Sequence, residues 1–263
     1  MKWAFIIGAS SGFGLATARK LGSKGYNLLL LHRDRRVKLP EIEQCYEEIR
    51  ATGVRVLSLN LNAYDQATFD TVREKIQQEI LPEGKINVFV HSLADGNIGK
   101  ISVEDPSKEK QLTDEGFRRT IEAMGISFIT WSRYLKEQNF FAENARIIGI
   151  TSEGTKLVLP LYAAVAVAKS VLETSVKYLA VEFASFKITT NLICAGVSDT
   201  NALKVFPDYQ KLLETYKKRN PFGRLTTPED VANAIYLLSM DEAAWINGAT
   251  IRVDGGEQIA GVI

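Results

Sequence analysis

Short apolar runs alternate with longer amphipathic stretches along the chain. Most of the apolar runs are nearly continuous, which is typical of parallel strands covered on both faces. They predict seven strands, at residues 3–7, 27–32, 54–60, 86–91, 145–151, 188–194 and 249–253. The amphipathic stretches predict six helices, at residues 12–23, 40–51, 66–81, 114–138, 160–184 and 228–241. This alternation predicts an α/β, doubly wound fold with a seven-stranded parallel sheet and helices on both faces.

Two regions, residues 95–112 and 197–220, do not fit the alternation and predict long loops. Both follow predicted strands at their carboxyl ends, where open α/β sheets bind ligands. Loops of this length in a compact domain are usually functional or mobile. Internal repeats and Pro/Ser-rich linkers are absent from the sequence. We therefore expect one domain over residues 1–263, with the segment 197–220 covering a substrate.

Composition and charge exclude several classes of protein. Hydrophobic residues make up 46% of the 263 residues, which is enough for a real core and argues against disorder. The net charge of +1 argues against a nucleic-acid binder that depends on a strongly basic face. No apolar run approaches the roughly 20 residues that span a bilayer, and Cys45 and Cys194 lack metal-site spacing. We expect a cytoplasmic protein without membrane insertion, nucleic-acid partner or metal.

A glycine-rich turn directly follows the first predicted strand and precedes the first helix. Glycine allows a tight turn and the close approach of a pyrophosphate, and the helix offers unpaired N–H groups and a partial positive charge. The alternative is a packing turn without a ligand. The position between strand and helix favours a dinucleotide site, with contributions from Gly8, Ser10, Ser11, Gly12, Phe13 and Gly14.

The end of the second strand indicates which dinucleotide binds. Sites that prefer NAD usually place an acidic residue here to hold the ribose 2′-hydroxyl. In this chain the strand ends at His32, and Arg33 follows at once. A guanidinium beside the 2′ position suits the additional phosphate of NADPH. We expect His32 and Arg33 to contact NADPH, with NADH as the alternative, whereas Arg35 and Arg36 are equally explained as a solvated charge run.

Tyr162 and Lys169 share one face of the predicted helix 160–184. Seven residues at about 100° each bring Lys169 back to within roughly 20° of Tyr162, two turns further along. A phenol near a fixed positive charge can act as an acid, because that charge favours the phenolate left after proton donation. Considered alone, the pair is better explained as two residues that flank a buried helix.

Over its whole length the sequence resembles the short-chain dehydrogenases/reductases. The shared features are the glycine turn, Asn60-Leu61, the Tyr162/Lys169 helix, Ala195-Gly196 with Thr200, Pro228-Glu229-Asp230-Val231-Ala232 and Val253-Asp254-Gly255-Gly256. The resemblance implies a Rossmann fold and an NAD(P)H-dependent oxidoreductase. It also implies a homotetramer that pairs through the long helices 114–138 and 160–184.

The spacing between tyrosine and lysine is similar to that of the enoyl-acyl-carrier-protein reductases. Carbonyl-reducing members place the tyrosine four residues before the lysine, where this chain has Val165. Tyr162 lies three residues earlier. The residues 91–93, His-Ser-Leu, agree with this subgroup, and the stretch from 199 to 224 most resembles its NADPH-preferring branch. Ser152 departs from it, because many enoyl reductases have a second tyrosine there and carbonyl reductases have a serine.

The resemblance implies reduction of the carbon–carbon double bond of a 2-enoyl thioester, on acyl carrier protein or coenzyme A, in fatty-acid or related acyl synthesis. Tyr162 would donate to the thioester oxygen, Lys169 would hold the nicotinamide ribose and lower the pKa of the phenol, and Ser152 would support either group. The further cofactor-binding residues that it implies are Asn60, Leu61, Ser92, Leu93, Val197, Ser198 and Thr200.

Two other functions stay open at this point. One is a short-chain reductase or dehydrogenase that acts on a ketone or alcohol, such as a 3-oxoacyl thioester. The other is a non-catalytic, dinucleotide-binding regulatory protein, which the presence of both Tyr162 and Lys169 disfavours. Apolar residues in the segment 197–220 suit a cover over an acyl chain. The basic residues 217–219 would suit an acidic carrier protein, although a solvated helix end explains them more simply.

Overall fold

A computed structural model, which describes residues 1–105 and 107–261, contains one seven-stranded sheet. Every neighbouring pair of strands is parallel, and the order across the sheet is β3-β2-β1-β4-β5-β6-β7. The doubly wound Rossmann fold expected from the sequence is therefore confirmed. The strands are β1 (Lys2–Ile7), β2 (Asn27–His32), β3 (Val56–Asn60), β4 (Lys85–His91), β5 (Phe141–Ser152), β6 (Thr189–Ala195) and β7 (Thr250–Val253).

Helices cover both faces of the sheet. They are α1 (Gly12–Ser23), α2 (Leu39–Arg50), α3 (Gln66–Glu79), α4 (Asp114–Ile121), α5 (Ser127–Glu137), α6 (Ala163–Glu182), α7 (Tyr209–Arg219) and α8 (Pro228–Ser239). Successive side chains of β1 point to opposite faces, as strand geometry requires. Trp3 and Phe5 join the cluster under α3, α5 and α6, whereas Ala4 and Ile6 join the cluster under α1, α2 and α8. No helix in the described ranges is long and apolar enough to cross a membrane.

The predicted helix 114–138 is divided by a π-helical turn at Glu122–Ile126. Gly125 lies in this turn, where a Cβ atom would be 3.0 Å from the Ala168 carbonyl oxygen and from the Val171 Cβ. The small residue thus allows a close approach to α6. Such π-turns often occur at functional sites, and this one brings Met124 into the cluster beneath Tyr162.

The segment 197–220 is not simply a loop, because it contains the helix α7. The prediction missed this helix because its composition is dominated by charged and polar residues. Only a narrow face is apolar, and Tyr216 is its one buried residue. Leu, Gln, Glu, Lys and Arg, which fill most of this helix, are strong helix formers, so propensity and the packing of that face both support it.

The helix predicted from residue 160 begins later, at Ala163. Leu161 adopts a φ of +65°, in the left-handed region, which is incompatible with a continuous right-handed helix. Tyr162 is consequently the N-cap residue of α6, not a residue on the helix face. The position of its ring is set by this turn as well as by the helical spacing to Lys169.

Candidate active site

The glycine-rich turn lies at the carboxyl end of β1 and requires its glycines. Gly8 has a φ of +82°, and a Cβ atom there would lie 2.4 Å from the Ser92 carbonyl oxygen. A Cβ on Gly14 would lie 2.0 Å from the carbonyl oxygen of Gly8. Ser11 is the N-cap of α1, but within the described chain its side chain makes no capping hydrogen bond. The first N–H groups of α1 are therefore left for a ligand.

A cavity of about 470 Å3 opens above this turn, at the ends of β1, β2 and β4. It brings together most of the residues predicted to contact the cofactor. Those that line it are Gly8, Ser10, Ser11, Gly12, Phe13, His32, Arg33, Leu61, Ser92, Leu93 and Thr200. Asn60 is not among the residues that line this cavity. Its side chain binds the backbone of Asp34, accepting from the N–H at 2.8 Å and donating to the carbonyl oxygen at 3.1 Å.

His32 and Arg33 have different surroundings at the end of β2. Both ring nitrogens of the buried His32 are in use, with Asp34 at 2.9 Å and Ser58 at 3.2 Å. The Arg33 guanidinium is half-exposed and donates to Asp95 at 2.8 Å and to the Tyr64 hydroxyl at 2.9 Å. Of these two residues, Arg33 is thus the one whose side chain faces the solvent.

A second, mainly apolar cavity of about 420 Å3 continues from the first. The two cavities share lining residues, among them Phe13, Ser92 and Thr200. The predicted residues that line the second cavity are Ser152, Tyr162, Lys169, Val197 and Ser198. The segment 197–220 contributes its apolar side chains to the wall, namely Leu203, Val205, Phe206 and Leu212. A polar, glycine-lined cavity therefore leads into an apolar one at Tyr162.

The hydroxyl group of Tyr162 lies 3.1 Å from the Oγ atom of Ser152. Its ring packs against Phe206, with 5.9 Å between centroids, and against Gly154, where a Cβ atom would lie 2.3 Å from Cε1. Burial raises the pKa of the phenol, although the hydrogen bond with Ser152 opposes this. Tyr162 is therefore a protonated donor at neutral pH, held in one orientation.

Lys169 is buried beside this pair and donates from Nζ to the Ile150 carbonyl oxygen at 2.6 Å. Burial lowers the pKa of Lys169 to about 8. The expectation that Lys169 lowers the pKa of the phenol is wrong for this structure, because burial of the ring dominates. The nearby His91 is neutral: burial, and then the charge of Lys169, lower its pKa to about 3.

Comparison with known proteins identifies the family. The sequence model described as enoyl-(acyl carrier protein) reductase matches residues 8–258, almost the entire chain. The chain belongs to this family. It is 28% identical over 239 residues to the NADH-dependent enoyl-[acyl-carrier-protein] reductase FabI of Enterococcus faecalis, covering 91% of this chain and 89% of the relative. It is 29% identical to the uncharacterized oxidoreductase YjdA of Bacillus subtilis, covering 97% and 96%.

A solved structure shows the same fold. The enoyl-[acyl-carrier-protein] reductase (NADH) of Aquifex aeolicus superimposes with a TM-score of 0.80 at 24% identity, covering 100% of this chain and 98% of the other. The family match makes the chain an NAD(P)H-dependent oxidoreductase. The residues fit a nicotinamide dinucleotide, because the polar cavity opens on the glycine turn and the N-terminus of α1 is free to hold phosphate.

Four further polar residues lie at or beside the site, and the sequence analysis named only Arg219 among them, as one of the basic residues 217–219. Glu153 follows Ser152 directly, and Arg219 donates to both of its carboxylate oxygens, at 3.0 and 3.1 Å. This ion pair ties the end of α7 to the end of β5. Glu257 accepts from the Val197 N–H at 3.1 Å and so ties down the start of the same segment. The fourth, Tyr216, lines the apolar cavity.

The sequence contains no local signal for these contacts. Glu153 and Arg219 are 66 residues apart, and Val197 and Glu257 are 60 apart. Burial raises the pKa of Glu257 to about 7, with the charge of Glu153 among the further causes. Within the described chain its Oε2 atom has no hydrogen-bond partner. Both ends of the segment 197–220 are therefore anchored by buried carboxyl groups.

Proposed function

We propose that this chain uses NADPH to reduce the carbon–carbon double bond of 2-enoyl thioesters, in fatty-acid or related acyl synthesis. The observation that carries the proposal is the Tyr162 hydroxyl at the wall of an apolar cavity of about 420 Å3, seven residues before Lys169. Such a cavity suits an acyl chain. The E. faecalis relative, an enoyl reductase by name, supports the same reaction.

The chain's own residues would hold the cofactor along the continuous cavities. The glycine turn and the N-terminus of α1 would bind the pyrophosphate, and a bound nicotinamide would supply the hydride for the β-carbon of the substrate. Lys169 uses one of its three N–H donors on Ile150, so that two remain for the ribose hydroxyls. The residues that would surround the nicotinamide end are Ser92, Leu93, Val197, Ser198 and Thr200, and Leu61 would lie near the adenine.

Tyr162 would act at the thioester oxygen, where negative charge develops as the double bond is reduced. A donor aimed at that oxygen lowers the barrier because its interaction strengthens with the charge. The raised pKa of the phenol keeps its proton in place until it is needed. Ser152 orients the hydroxyl through the 3.1 Å contact. The positive charge of Lys169 further favours the negative oxygen.

The segment 197–220 would exclude water from this reaction. Phe206 contacts the Tyr162 ring, and Leu203 and Leu212 contribute to the same wall. An apolar cover strengthens the interaction between the donor and the developing charge, because it lowers the local dielectric. Lys217 and Lys218 at the end of α7 would attract an acidic carrier protein, with coenzyme A thioesters as the alternative substrate.

Arg33 is the reason to propose NADPH rather than NADH. Its guanidinium follows β2 and lines the polar cavity, where a 2′-phosphate would be bound. The E. faecalis relative is named as NADH-dependent, so the proposed NADPH preference would distinguish this chain from that relative. We propose a cytoplasmic homotetramer, on the basis of the family resemblance.

Substitution of the proposed donor tests the function. Tyr162→Phe is expected to lower kcat with crotonyl-coenzyme A by about 10²–10³-fold, the usual loss for one oxyanion donor, while the Kd of NADPH stays unchanged. Tyr178→Phe is the matched control, because this phenol lies on the same helix and is 66% exposed. Full activity of Tyr162→Phe would refute the assignment.

Carbonyl reduction is the second candidate, and the contact between Ser152 and Tyr162 favours it. A serine–tyrosine pair suits a donor aimed at a ketone oxygen, and here the two hydroxyls are 3.1 Å apart. Oxidation of NADPH with crotonyl but not acetoacetyl thioesters supports the enoyl reductase, and the reverse supports a ketoreductase. Binding of NADPH without turnover of either substrate would indicate a regulatory protein.

A further inference from the structure

Four side chains form a cluster at the edge of the polar cavity, which we call the Arg33–Asp95 cluster: Arg33, Tyr64, Asp95 and Arg119. One carboxylate oxygen of Asp95 accepts from Arg33 at 2.8 Å, from the Tyr64 hydroxyl at 2.8 Å and from Arg119 at 3.2 Å. Arg33 also donates to Tyr64 at 2.9 Å. A single oxygen of Asp95 therefore accepts hydrogen bonds from both guanidinium groups.

The cluster reaches across the polar cavity. Arg33 follows β2 and Asp95 follows β4, and these two strands lie on opposite sides of β1 in the sheet. Both residues line the cavity that opens above the glycine turn at the end of β1. The ion pair between them thus joins the two sides of the site where the adenosine half of a dinucleotide is expected.

The charge of Asp95 is firmly held. Partial burial acts to raise the pKa of Asp95, but the hydrogen bonds from Tyr64 and Arg119 and the charge of Arg33 outweigh it, and the pKa lies below its ordinary value. Asp95 is therefore ionised at neutral pH. Arg33 uses one N–H of Nη2 on Asp95 and one N–H of Nη1 on Tyr64, and the carboxylate of Asp95 neutralises part of its charge. An anion that needs this guanidinium must compete with an anion already present.

We propose that Asp95 is a specificity-determining residue, whose carboxylate competes with the cofactor's 2′-phosphate for Arg33 and thereby reduces the advantage of NADPH over NADH. NADH has only a 2′-hydroxyl at this position, so its binding does not require Arg33 to leave Asp95. This inference rests on the proposed function only in placing the adenosine ribose beside Arg33.

The test is the ratio of the Kd values of NADPH and NADH, measured by fluorescence titration of the full chain. Asp95→Asn keeps the side-chain shape and one acceptor oxygen but removes the competing charge. It is expected to tighten NADPH by about fivefold, the scale of one partly exposed ion pair, and to change NADH by less than about twofold. Both partners are exposed enough, 46% for Arg33 and 33% for Asp95, that the fold tolerates the change.

Two further variants separate a local effect from a general one. Asp70→Asn makes the same change in net charge at an exposed pair with Arg73 on α3, and must leave the ratio unchanged. Arg33→Gln combined with Asp95→Asn must abolish the gain, because the gain acts through Arg33. An equal change for both cofactors, or an unchanged ratio, would overturn the inference. If the wild-type protein prefers NADH, the proposed NADPH dependence is wrong. The effect of Asp95→Asn on the ratio of the two Kd values would still test this inference.

Discussion

Glutamine at position 153 would remove one charge from the ion pair that joins the end of β5 to the end of α7. The Glu153 side chain is 5% exposed and that of Arg219 is 16% exposed. Arg219 Nη1 lies 3.0 and 3.1 Å from the two carboxylate oxygens. Glutamine keeps the shape and one acceptor oxygen. It places an N–H donor where the second oxygen was, and it leaves the guanidinium charge without a partner.

The loss of stability follows from these contacts. Breaking a buried ion pair by removing one partner costs about 3–5 kcal/mol. The acceptor that glutamine retains, and the partial exposure of Arg219, reduce this cost. The charge of Glu153 is also one of the causes, after burial, of the raised pKa of Glu257, so its removal relieves a repulsion. We therefore expect Glu153→Gln to lower the free energy of unfolding by about 2 kcal/mol.

The effect on catalysis should appear in substrate binding. Arg219 ends α7, and Leu212 and Tyr216 of this helix line the apolar cavity. A loosened α7 is expected to raise KM for a long-chain enoyl thioester by roughly tenfold, equivalent to about 1.4 kcal/mol. The KM for a crotonyl thioester and the Kd of NADPH should change little, because a short acyl chain makes less use of the apolar wall and the glycine turn does not contact α7.

Urea denaturation and steady-state kinetics measure both effects. The matched control is Glu143→Gln, which breaks an exposed ion pair with Lys187 at the other end of β5 and should leave stability and kinetics unchanged. An unchanged urea midpoint for Glu153→Gln would show that the buried pair does not stabilise the fold. A fall in stability with no difference between long and short substrates would contradict the link between α7 and the acyl chain.

Other buried positions in the site have measurable consequences. Lys169→Met is expected to abolish turnover yet raise the free energy of unfolding at pH 7 by about 1–3 kcal/mol, because burial lowers the Lys169 pKa from 10.5 to about 8. Urea titrations should show that this gain in stability over the wild type shrinks as the pH rises towards 10.5. Burial raises the pKa of Glu257 from 4.5 to about 7. Between pH 4.5 and about 7 the native state therefore binds more protons than the unfolded state, so the free energy of unfolding falls as the pH rises over this range. Glu257→Gln should remove this fall and be the more stable form above pH 7, as thermal melts from pH 4 to 8 will show. Gly154→Ala places a Cβ atom 2.3 Å from the Tyr162 ring, and is expected to lower kcat with little change in the Kd of NADPH; full activity would mean that the ring can move.

The inner strands of the sheet could be predicted because they are buried on both faces, as β2 and β6 show. Residues 27–32 read as a continuous apolar run, and every residue of β2 is buried. The same rule fails for α7, where only Tyr216 is buried and charge hides the helical period. It also fails at residues 160–162, because the left-handed backbone of Leu161 delays the start of α6 and has no signal in the apolar pattern.

In the site, the sequence could predict which residues take part, whereas their pKa values depend on the folded structure. Tyr162, Ser152 and Lys169 could be predicted individually, since each occupies a position that the family resemblance marks. Their electrostatics could not, because the pKa of the phenol depends on how deeply the ring is buried, and that depends on Gly154 and Phe206. Charge proximity alone predicted a lowered pKa, and desolvation reverses its sign. In this site burial sets the direction of the shift and Lys169 is not among its causes, so the donor stays protonated until charge develops on the substrate.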